Sequence, residues 1–284
     1  METSKRTIRC EMVPTPTMAT GLAATCAAFA AACTATLELA APRKLSNNIA
    51  LHHLSYAMIR ERFSLSANLA VRVVRRVSAA MTAAKRTGKR PRRFEPTSID
   101  YDARIFAYRP QDETVSLTVV GGRIHVPLRL GTYQRAALAG TRPTAATVVR
   151  HGRAWAIHIV VEEPDEPRRE GPPIGVDLGI RNTAATSLGT LHDGQTRQQF
   201  KAERQRIRSS LQSKGTRGSK VVLRRLAGAE HRRIRHENHE LSRRLVDEAL
   251  KAHAGVIRLE RLTGIRQRTR VWNRHSNRHV AGWS

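Results

Sequence analysis

The chain has 284 residues, and its 50 lysines and arginines against 23 aspartates and glutamates give a formal net charge of +27. A charge this positive favours a polyanionic partner, because cations that neutralise phosphates release counterions and so supply most of the affinity for nucleic acid. The cations are spread along the sequence, which argues against a membrane partner. A nucleic-acid-binding protein is expected, with no small-molecule substrate; a basic protein of ribosomal type is the alternative.

The cysteines and the N-terminal apolar stretch give further information about the class of protein. Cys10, Cys26 and Cys33 have neither C-x-x-C spacing nor an even number, so we expect reduced, buried thiols and no zinc site. Residues 18–37 carry no charge but consist mainly of Ala and Thr. The stretch is long enough for a membrane span or a signal peptide. It contains few Leu, Ile, Val or Phe residues, however, so membrane insertion would be poor and a buried helix is favoured.

The first third of the chain is predicted to be a short strand followed by three helices. Residues 8–13 form the strand, and helices follow at 17–39 and 47–63. Ser66 is the predicted N-cap of the third helix. Apolar residues form one stripe on this helix, and basic residues, including Arg75 and Arg76, lie off the stripe. Those arginines either form a solvated face or contact a nucleic-acid backbone.

From residue 94 to residue 163 the apolar period changes to two, which predicts strands. Gly121-Gly122 and His151-Gly152 each lie between two runs in which apolar and polar residues alternate, and each pair is typical of a hairpin turn. Residues 133–139 read as a short helix between the hairpins. We predict a small antiparallel barrel or sheet.

Proline and mixed charge mark a boundary at E-E-P-D-E-P-R-R-E-G-P-P, residues 162–173. Such a composition does not favour a packed element, so it predicts a linker. We therefore divide the chain into an N-terminal lobe at 1–163, a linker at 164–173 and a C-terminal domain at 174–284.

The C-terminal domain is predicted to begin with strands and continue with basic helices. Strands are expected at 174–177, at 182–186 and near 198–201. A basic helix follows at 201–214, and a longer one at 220–253 carries an apolar face of Leu223, Ala227, Ile234, Leu241, Leu245 and Ala249. Gly255 is expected to end the longer helix. Basic residues proposed to contact phosphates are Arg181, Arg204, Arg208, Arg217, Lys220, Arg224 and Arg225.

Two acids lie on separate apolar runs of this domain. Asp177 stands in G-V-D-L-G, and Glu260 stands in V-I-R-L-E-R-L. An unpaired carboxylate in a buried strand is costly, so a metal or an arginine is expected beside it. Two strands that each present an acid can build a site for Mg²⁺, which prefers oxygen ligands. Taken singly, Asp177 is more often a turn or cap residue, and Glu260 an exposed strand end.

The motif G-V-D-L-G-I-R-N-T-A-A-T, a long basic helical region containing G-S-K, and V-I-R-L-E-R-L-T-G-I-R together resemble the TnpB family. These proteins are encoded beside transposases in prokaryotic insertion sequences and are relatives of type V CRISPR effectors. The resemblance implies a RuvC-like domain of RNase H fold, a guide RNA, target DNA, and Mg²⁺-dependent DNA cleavage with one or two ions. It also implies a cytoplasmic, nucleoid-associated protein. Asp177 matches the first catalytic carboxylate and Glu260 the second.

The sequence departs from the family pattern after Glu260. Neither the four-cysteine zinc ribbon nor the third catalytic aspartate is present in it. The RuvC-like domain is therefore expected to be incomplete, and cleavage to be weakened or lost. A non-cleaving RNA- or DNA-binding regulator is the alternative, and an actin-like ATPase with D-x-G on a strand is a more distant one.

Overall fold

The structure is a computed structural model, and it describes residues 3–89, 91–164, 169–260 and 262. The chain divides into two compact units, Met1–Asp165 and Glu166–Ser284, which we call unit 1 and unit 2. Each unit has a hydrophobic core of its own.

Unit 1 is built on a seven-stranded antiparallel sheet. Its strands are β1 (Thr3–Met12), β2 (Ser98–Asp102), β3 (Phe106–Arg109), β4 (Thr114–Val119), β5 (Gly122–Arg129), β6 (Pro143–His151) and β7 (Ala154–Pro164). The order is β2-β6-β7-β1-β5-β4-β3, and β3 also lies near β6. The sheet is therefore nearly closed, which confirms the predicted antiparallel barrel or sheet.

The helices of unit 1 are α1 (Pro16–Ala40), α2 (Asn48–Phe63), α3 (Ala67–Thr87) and α4 (Thr132–Leu138). The side chains of Thr15, Asn47 and Ser66 accept hydrogen bonds from backbone N–H groups of the first turns of α1, α2 and α3. Such caps satisfy N–H groups that have no partner within the helix. The predicted helices and the N-cap at Ser66 are confirmed.

Helix α1 has the length and mean hydropathy (1.6) of a membrane span. In this structure it is a core helix, because Leu22, Cys26, Phe29, Cys33 and Leu37 are each no more than 3% exposed. The prediction of a buried Ala-rich helix is confirmed.

The three cysteines are free and buried, as predicted. Burial raises the pKa of Cys10 to about 11 and the pKa of Cys33 to about 12. The thiols therefore stay protonated at neutral pH, and a protonated thiol is a poor nucleophile and a poor metal ligand.

Strand β1 differs from the prediction in a way that affects the boundary between the units. It begins at Thr3 instead of Ile8 and lies in the middle of the sheet, where it pairs with β7 from Thr3↔Pro164 to Met12↔Trp155. Glu162 and Glu163 thus belong to β7 and form ion pairs with Lys5 and Arg6 of β1. Glu162 and Glu163, the first two residues of the proline-rich charged stretch, therefore lie in the sheet, where cross-strand charge pairs hold them.

Unit 2 contains a four-stranded mixed sheet and two long helices. The strands are β8 (Pro173–Asp177), β9 (Asn182–Thr186), β10 (Leu191–Asp193) and β11 (Val256–Leu259), and the helices are α5 (Gln195–Lys214) and α6 (Arg217–Lys251). The order is β10-β9-β8-β11. β8, β9 and β10 run antiparallel, and β11 pairs with β8 in parallel. Ile174, Val176, Ala184, Leu245 and Ala249 form the core between the sheet and α6.

Three details of unit 2 correct the predictions. Residues 198–201, predicted as a strand, lie in α5, because the third strand is short and the Asp193 carboxylate accepts a hydrogen bond from the Gln195 N–H at the start of this helix. Helix α6 ends at Lys251, before Gly255. A Cβ on Gly255 would lie 2.5 Å from the Arg169 carbonyl oxygen, so this glycine serves a close backbone approach.

The apolar face predicted for α6 is only partly buried. Leu245 and Ala249 are buried against the sheet, whereas Ala227 is exposed. The helix is longer than the sheet, so its N-terminal half packs against α5 instead. That contact uses charged side chains as well as apolar ones.

Arg76 is part of the packing of unit 1. Its guanidinium donates to the Asp100 carboxylate from Nε at 2.7 Å, with an Nη2–Oδ1 distance of 2.7 Å, and to the Ser98 carbonyl at 3.0 Å. It also lies 4.7 Å from the ring centroid of Phe29. The group therefore ties α3 to β2 and α1.

We expect Arg76→Ala to lower the free energy of unfolding of unit 1 by about 2 kcal/mol or more, because Asp100 would be left partly buried without its cation. Urea denaturation followed by circular dichroism measures this change. Arg75→Ala is the matched control: Arg75 is exposed, so its loss should change stability by less than about 0.5 kcal/mol. Equal effects of the two substitutions would contradict the assignment.

Candidate metal site and nucleic-acid interface

The two predicted acidic residues lie at the same end of neighbouring strands. β11 pairs with β8 from Val256↔Pro173 to Leu259↔Val176. The next residues are Asp177, which ends β8, and Glu260, which follows β11. Continuing the register by one residue places Asp177 opposite Glu260, and partners in a parallel pair lie on one face of the sheet. The structure thus brings the two acids together from distant parts of the chain.

Both carboxylates are accessible. Asp177 and Glu260 are exposed, whereas Ile174 and Val176 of β8 are buried on the side that α6 covers. Because side chains alternate along a strand, Asp177 lies on the opposite face from Val176. Among the residues that the structure describes, no cluster of three or more His, Cys, Asp or Glu side chains is present. The candidate donor set is therefore this pair of acids.

The turn that follows Asp177 explains the second glycine of G-V-D-L-G. A Cβ on Gly179 would lie 2.8 Å from the Asn182 carbonyl oxygen, which no real side chain tolerates. Gly194 is required in the same way, because its Cβ would lie 2.8 Å from the Arg181 carbonyl oxygen. A glycine beside a short strand is a sequence signal for such a close backbone approach.

The residues predicted to contact phosphates fall into two groups. Arg75, Arg181, Arg217, Lys220, Arg224 and Arg225 are exposed. Three others have internal partners. Arg76 is held by Asp100, Arg208 forms an ion pair with Glu230, and the Arg204 guanidinium carbon lies 5.0 Å from the Phe200 ring centroid. A phosphate contact by any of these residues stays a prediction.

A contact that the sequence did not reveal fastens the sheet to α6. The Thr186 hydroxyl donates to Glu248 Oε1 at 2.7 Å, and His192 Nε2 lies 3.5 Å from Glu248 Oε2. Hydrogen bonds from Thr186 and Thr190 hold the pKa of Glu248 below its usual value. Thr186 pairs with Val176, beside the pair Asp177↔Ala185. Glu248 therefore helps to fix the strand that flanks Asp177.

Comparison with known proteins agrees with this architecture. Residues 157–266 match the family model OrfB_IS605, described as probable transposase. Among curated proteins, none matches this sequence. A chain in the cryo-EM structure of a Cas12f1–sgRNA–target DNA complex is similar to this one with a TM-score of 0.63 and 12% identity, over 92% of this chain and 70% of that chain. At this identity the similarity concerns the fold.

The family match spans β8, both long helices and β11, which are the elements that present Asp177 and Glu260. The chain is therefore similar to the probable transposases of insertion sequences over its candidate site. The resemblance to the TnpB family that the sequence motifs indicated is confirmed by this match and by the structural likeness to Cas12f1.

We expect Glu248→Gln to destabilise unit 2 in a pH-dependent way. The folded-state pKa of Glu248 is depressed, so the stabilisation is fully present above the unfolded pKa, about 4.3, and is lost as pH falls through the folded value. The variant should lose about 1 kcal/mol of unfolding free energy at pH 7, and its difference from the wild type should disappear in acid.

Urea denaturation at a series of pH values measures this difference. Asp247→Asn is the control, since Asp247 is an exposed neighbour on the same helix and should show little effect at any pH. A Glu248→Gln effect that persists unchanged below the folded pKa would contradict the electrostatic explanation.

Proposed function

We propose that this protein is a TnpB-type, RNA-guided DNA-binding protein with a RuvC-like nuclease domain in unit 2 and a Mg²⁺ site at Asp177 and Glu260. The observation that carries the proposal is the parallel register of β8 and β11, which brings these two acids to adjacent positions. The family match and the structural likeness support it.

The topology of unit 2 supports the RNase H-like part of this proposal. Its first three strands form an antiparallel meander, the two long helices follow, and the fourth strand returns to pair in parallel with the first. This connection supports the proposal, because Glu260, which follows the fourth strand, continues the register opposite Asp177 at the end of the first. A nuclease domain of RNase H type needs this arrangement to present acids from distant segments to one ion.

The residues at this position fit Mg²⁺. Carboxylate oxygens are hard donors, and Mg²⁺ commonly takes one or two protein carboxylates while keeping several waters. Both acids are exposed at the end of the sheet, so substrate phosphates and water can reach them. Asp177 and Glu260 would hold one or two ions. A bound Mg²⁺ supplies Lewis acidity and a water of lowered pKa for phosphodiester hydrolysis.

Cations in both units suit nucleic-acid backbones. Arg75 in unit 1 and Arg181, Arg217, Lys220, Arg224 and Arg225 in unit 2 are exposed. In the proposed function these side chains contact phosphates of guide RNA and target DNA, while base pairing by the guide selects the sequence. The similar Cas12f1 chain is in a complex with sgRNA and target DNA.

We expect Asp177→Asn and Glu260→Gln each to lower Mg²⁺-dependent cleavage of a guide-matched DNA by at least about 100-fold, since even groups that only orient metal ligands are worth roughly 10- to 100-fold. Both substitutions should also weaken Mn²⁺ binding measured by electron paramagnetic resonance. Asp247→Asn, which changes an exposed acid of α6 outside the site, should alter neither.

The two readouts separate the possible outcomes. Metal binding and cleavage that survive both substitutions would overturn the site. A protein that binds Mn²⁺ through Asp177 and Glu260 and retains a specific RNA, but does not cleave, would instead be the non-cleaving binding protein.

A further inference from the structure

The four strands that the structure describes in unit 2 contain a single Lys or Arg, which is Arg258 in β11. The chain has 50 lysines and arginines, and those of unit 2 are concentrated on α5 and α6. A general enrichment in cations therefore does not account for the place of this residue in the sheet.

Arg258 lies on the same face of the sheet as the two acids of the candidate metal site. It pairs with Gly175 in the parallel register of β8 and β11, and partners in such a pair share a face. Side chains alternate along a strand, so Arg258 and Glu260 also share a face. Ile174 and Val176 of β8 pack towards α6, so the arginine and the acids lie on the side that α6 leaves open.

Gly175 leaves the surface between Arg258 and the acids open. Among the described residues, a Cβ on Gly175 would contact only Ser187, at 3.7 Å, which is an ordinary van der Waals distance. Packing therefore does not require a glycine here, and its effect is that no side chain lies across from Arg258. Residues two apart on a strand are about 6.6 Å apart, and neighbouring strands about 4.8 Å apart. An arginine side chain spans such distances, so the guanidinium can reach a group bound at the acids.

Arg258 is exposed, and it forms no ion pair within the part of the chain that the structure describes. Other arginines of this unit do have carboxylate partners, such as Arg197 with Glu237 and Arg208 with Glu230. The one cation of the sheet thus stays unpaired although two carboxylates share its face. The three groups together suit an external ligand that carries both signs of charge.

The charges on this face suit one divalent ion better than two. Two carboxylates and one guanidinium carry a single net negative charge, because arginine stays protonated. One Mg²⁺ leaves a single positive charge, which matches the single negative charge of a phosphodiester. A second ion would leave three positive charges and would lie close to the guanidinium. In two-metal sites the ions clamp the oxygens around the phosphorus, and an arginine fork also binds phosphate oxygens in a fixed geometry.

We propose that Arg258 is a catalytic residue that takes the place of a second metal ion: Asp177 and Glu260 hold one divalent ion, and the guanidinium binds the scissile phosphate. The inference rests on the proposed function and narrows it from one or two ions to one. In the hydrolysis, a water oxygen bonds to phosphorus and loses a proton to solvent, while the bond from phosphorus to the leaving sugar oxygen breaks and that oxygen takes a proton from solvent. The guanidinium donates to the non-bridging oxygens, where negative charge develops.

The other role that the position of Arg258 allows is protection of a sheet edge. β11 is the last strand in the order of the sheet, and charged side chains on such strands discourage pairing with other chains. Edge protection needs a charge but neither the planar fork of arginine nor the neighbouring acids. Substitutions by glutamine and by lysine therefore separate the two roles.

The test compares Arg258→Gln and Arg258→Lys in the full chain with Arg244→Gln, which removes one exposed cation from α6. Mn²⁺ binding without nucleic acid is measured by electron paramagnetic resonance, which gives the number of ions and their affinity. Cleavage of a guide-matched DNA in Mg²⁺ is measured under single-turnover conditions. Circular dichroism and thermal unfolding confirm that each variant is folded. The metal readout needs no cleavage, so it decides the number of ions by itself.

The wild type should bind one Mn²⁺ that is lost in Asp177→Asn. Arg258→Gln should bind this ion roughly threefold or more tightly at low salt, because a like charge is removed, yet it should cleave on the order of 100-fold more slowly. Arg258→Lys should keep the wild-type metal affinity but recover only part of the cleavage rate, since an ammonium lacks the fork. Arg244→Gln should change neither. A loss of structure would weaken both readouts, so opposite changes identify the proposed role.

Three results would overturn the inference. The first is two Mn²⁺ ions that both depend on Asp177. The second is an Arg258→Gln variant whose metal affinity is unchanged or weaker. The third is cleavage at the wild-type rate in both Arg258 variants, which would leave only the edge role. Mn²⁺ binding that survives Asp177→Asn would instead refute the metal site of the proposed function, so the two failures are distinguishable.

Discussion

The parallel pairing of β8 with β11 is the constraint on which the candidate site depends. Asp177 and Glu260 are separated by two hairpin-forming strands and two long helices, and only the return of the chain beside β8 brings them together. Two glycines make that return possible. Gly171 and Gly255 approach each other so closely that a Cβ on Gly255 would lie 2.8 Å from the Gly171 nitrogen, and Gly255 donates to the Pro172 carbonyl at 3.2 Å.

The charged side chains of unit 2 have two different roles. Inside the α5–α6 hairpin, ion pairs and arginine–aromatic contacts replace much of the apolar packing that two helices ordinarily share, and Phe200 is the single buried residue of α5. On the exposed side of α6, arginines such as Arg224 and Arg225 form no ion pair within the part of the chain that the structure describes. The high net charge of the chain therefore comes from arginines with two different roles. The residue type alone does not show whether a given arginine packs within the fold or faces outward.

Much of the fold could be predicted from the sequence because its signals are local. Asn47 and Ser66 mark helix starts, Gly121-Gly122 and Gly152 mark hairpin turns, and the apolar stripe of α3 is buried as predicted. Partners that depend on tertiary contact could not be predicted. The sequence does not distinguish Arg76 from a surface arginine, because its partner Asp100 is close only in the fold. It likewise does not show that Thr186 and His192 lie beside Glu248. The strand expected at 198–201 was wrong, because the local pattern did not show that a helix begins at Gln195, where the Asp193 carboxylate accepts a hydrogen bond from the Gln195 N–H.

The position of β1 has a consequence for how unit 1 is made. This N-terminal strand occupies the centre of the sheet, yet its long partner is β7, whose last residue pairs with Thr3. During synthesis β1 therefore has no main pairing partner until β7, near the end of unit 1, has left the ribosome. Contacts so distant in sequence form slowly, and an unpaired strand is exposed to misassembly meanwhile. Unit 1 can complete its sheet only after β7, its last strand, has been synthesised.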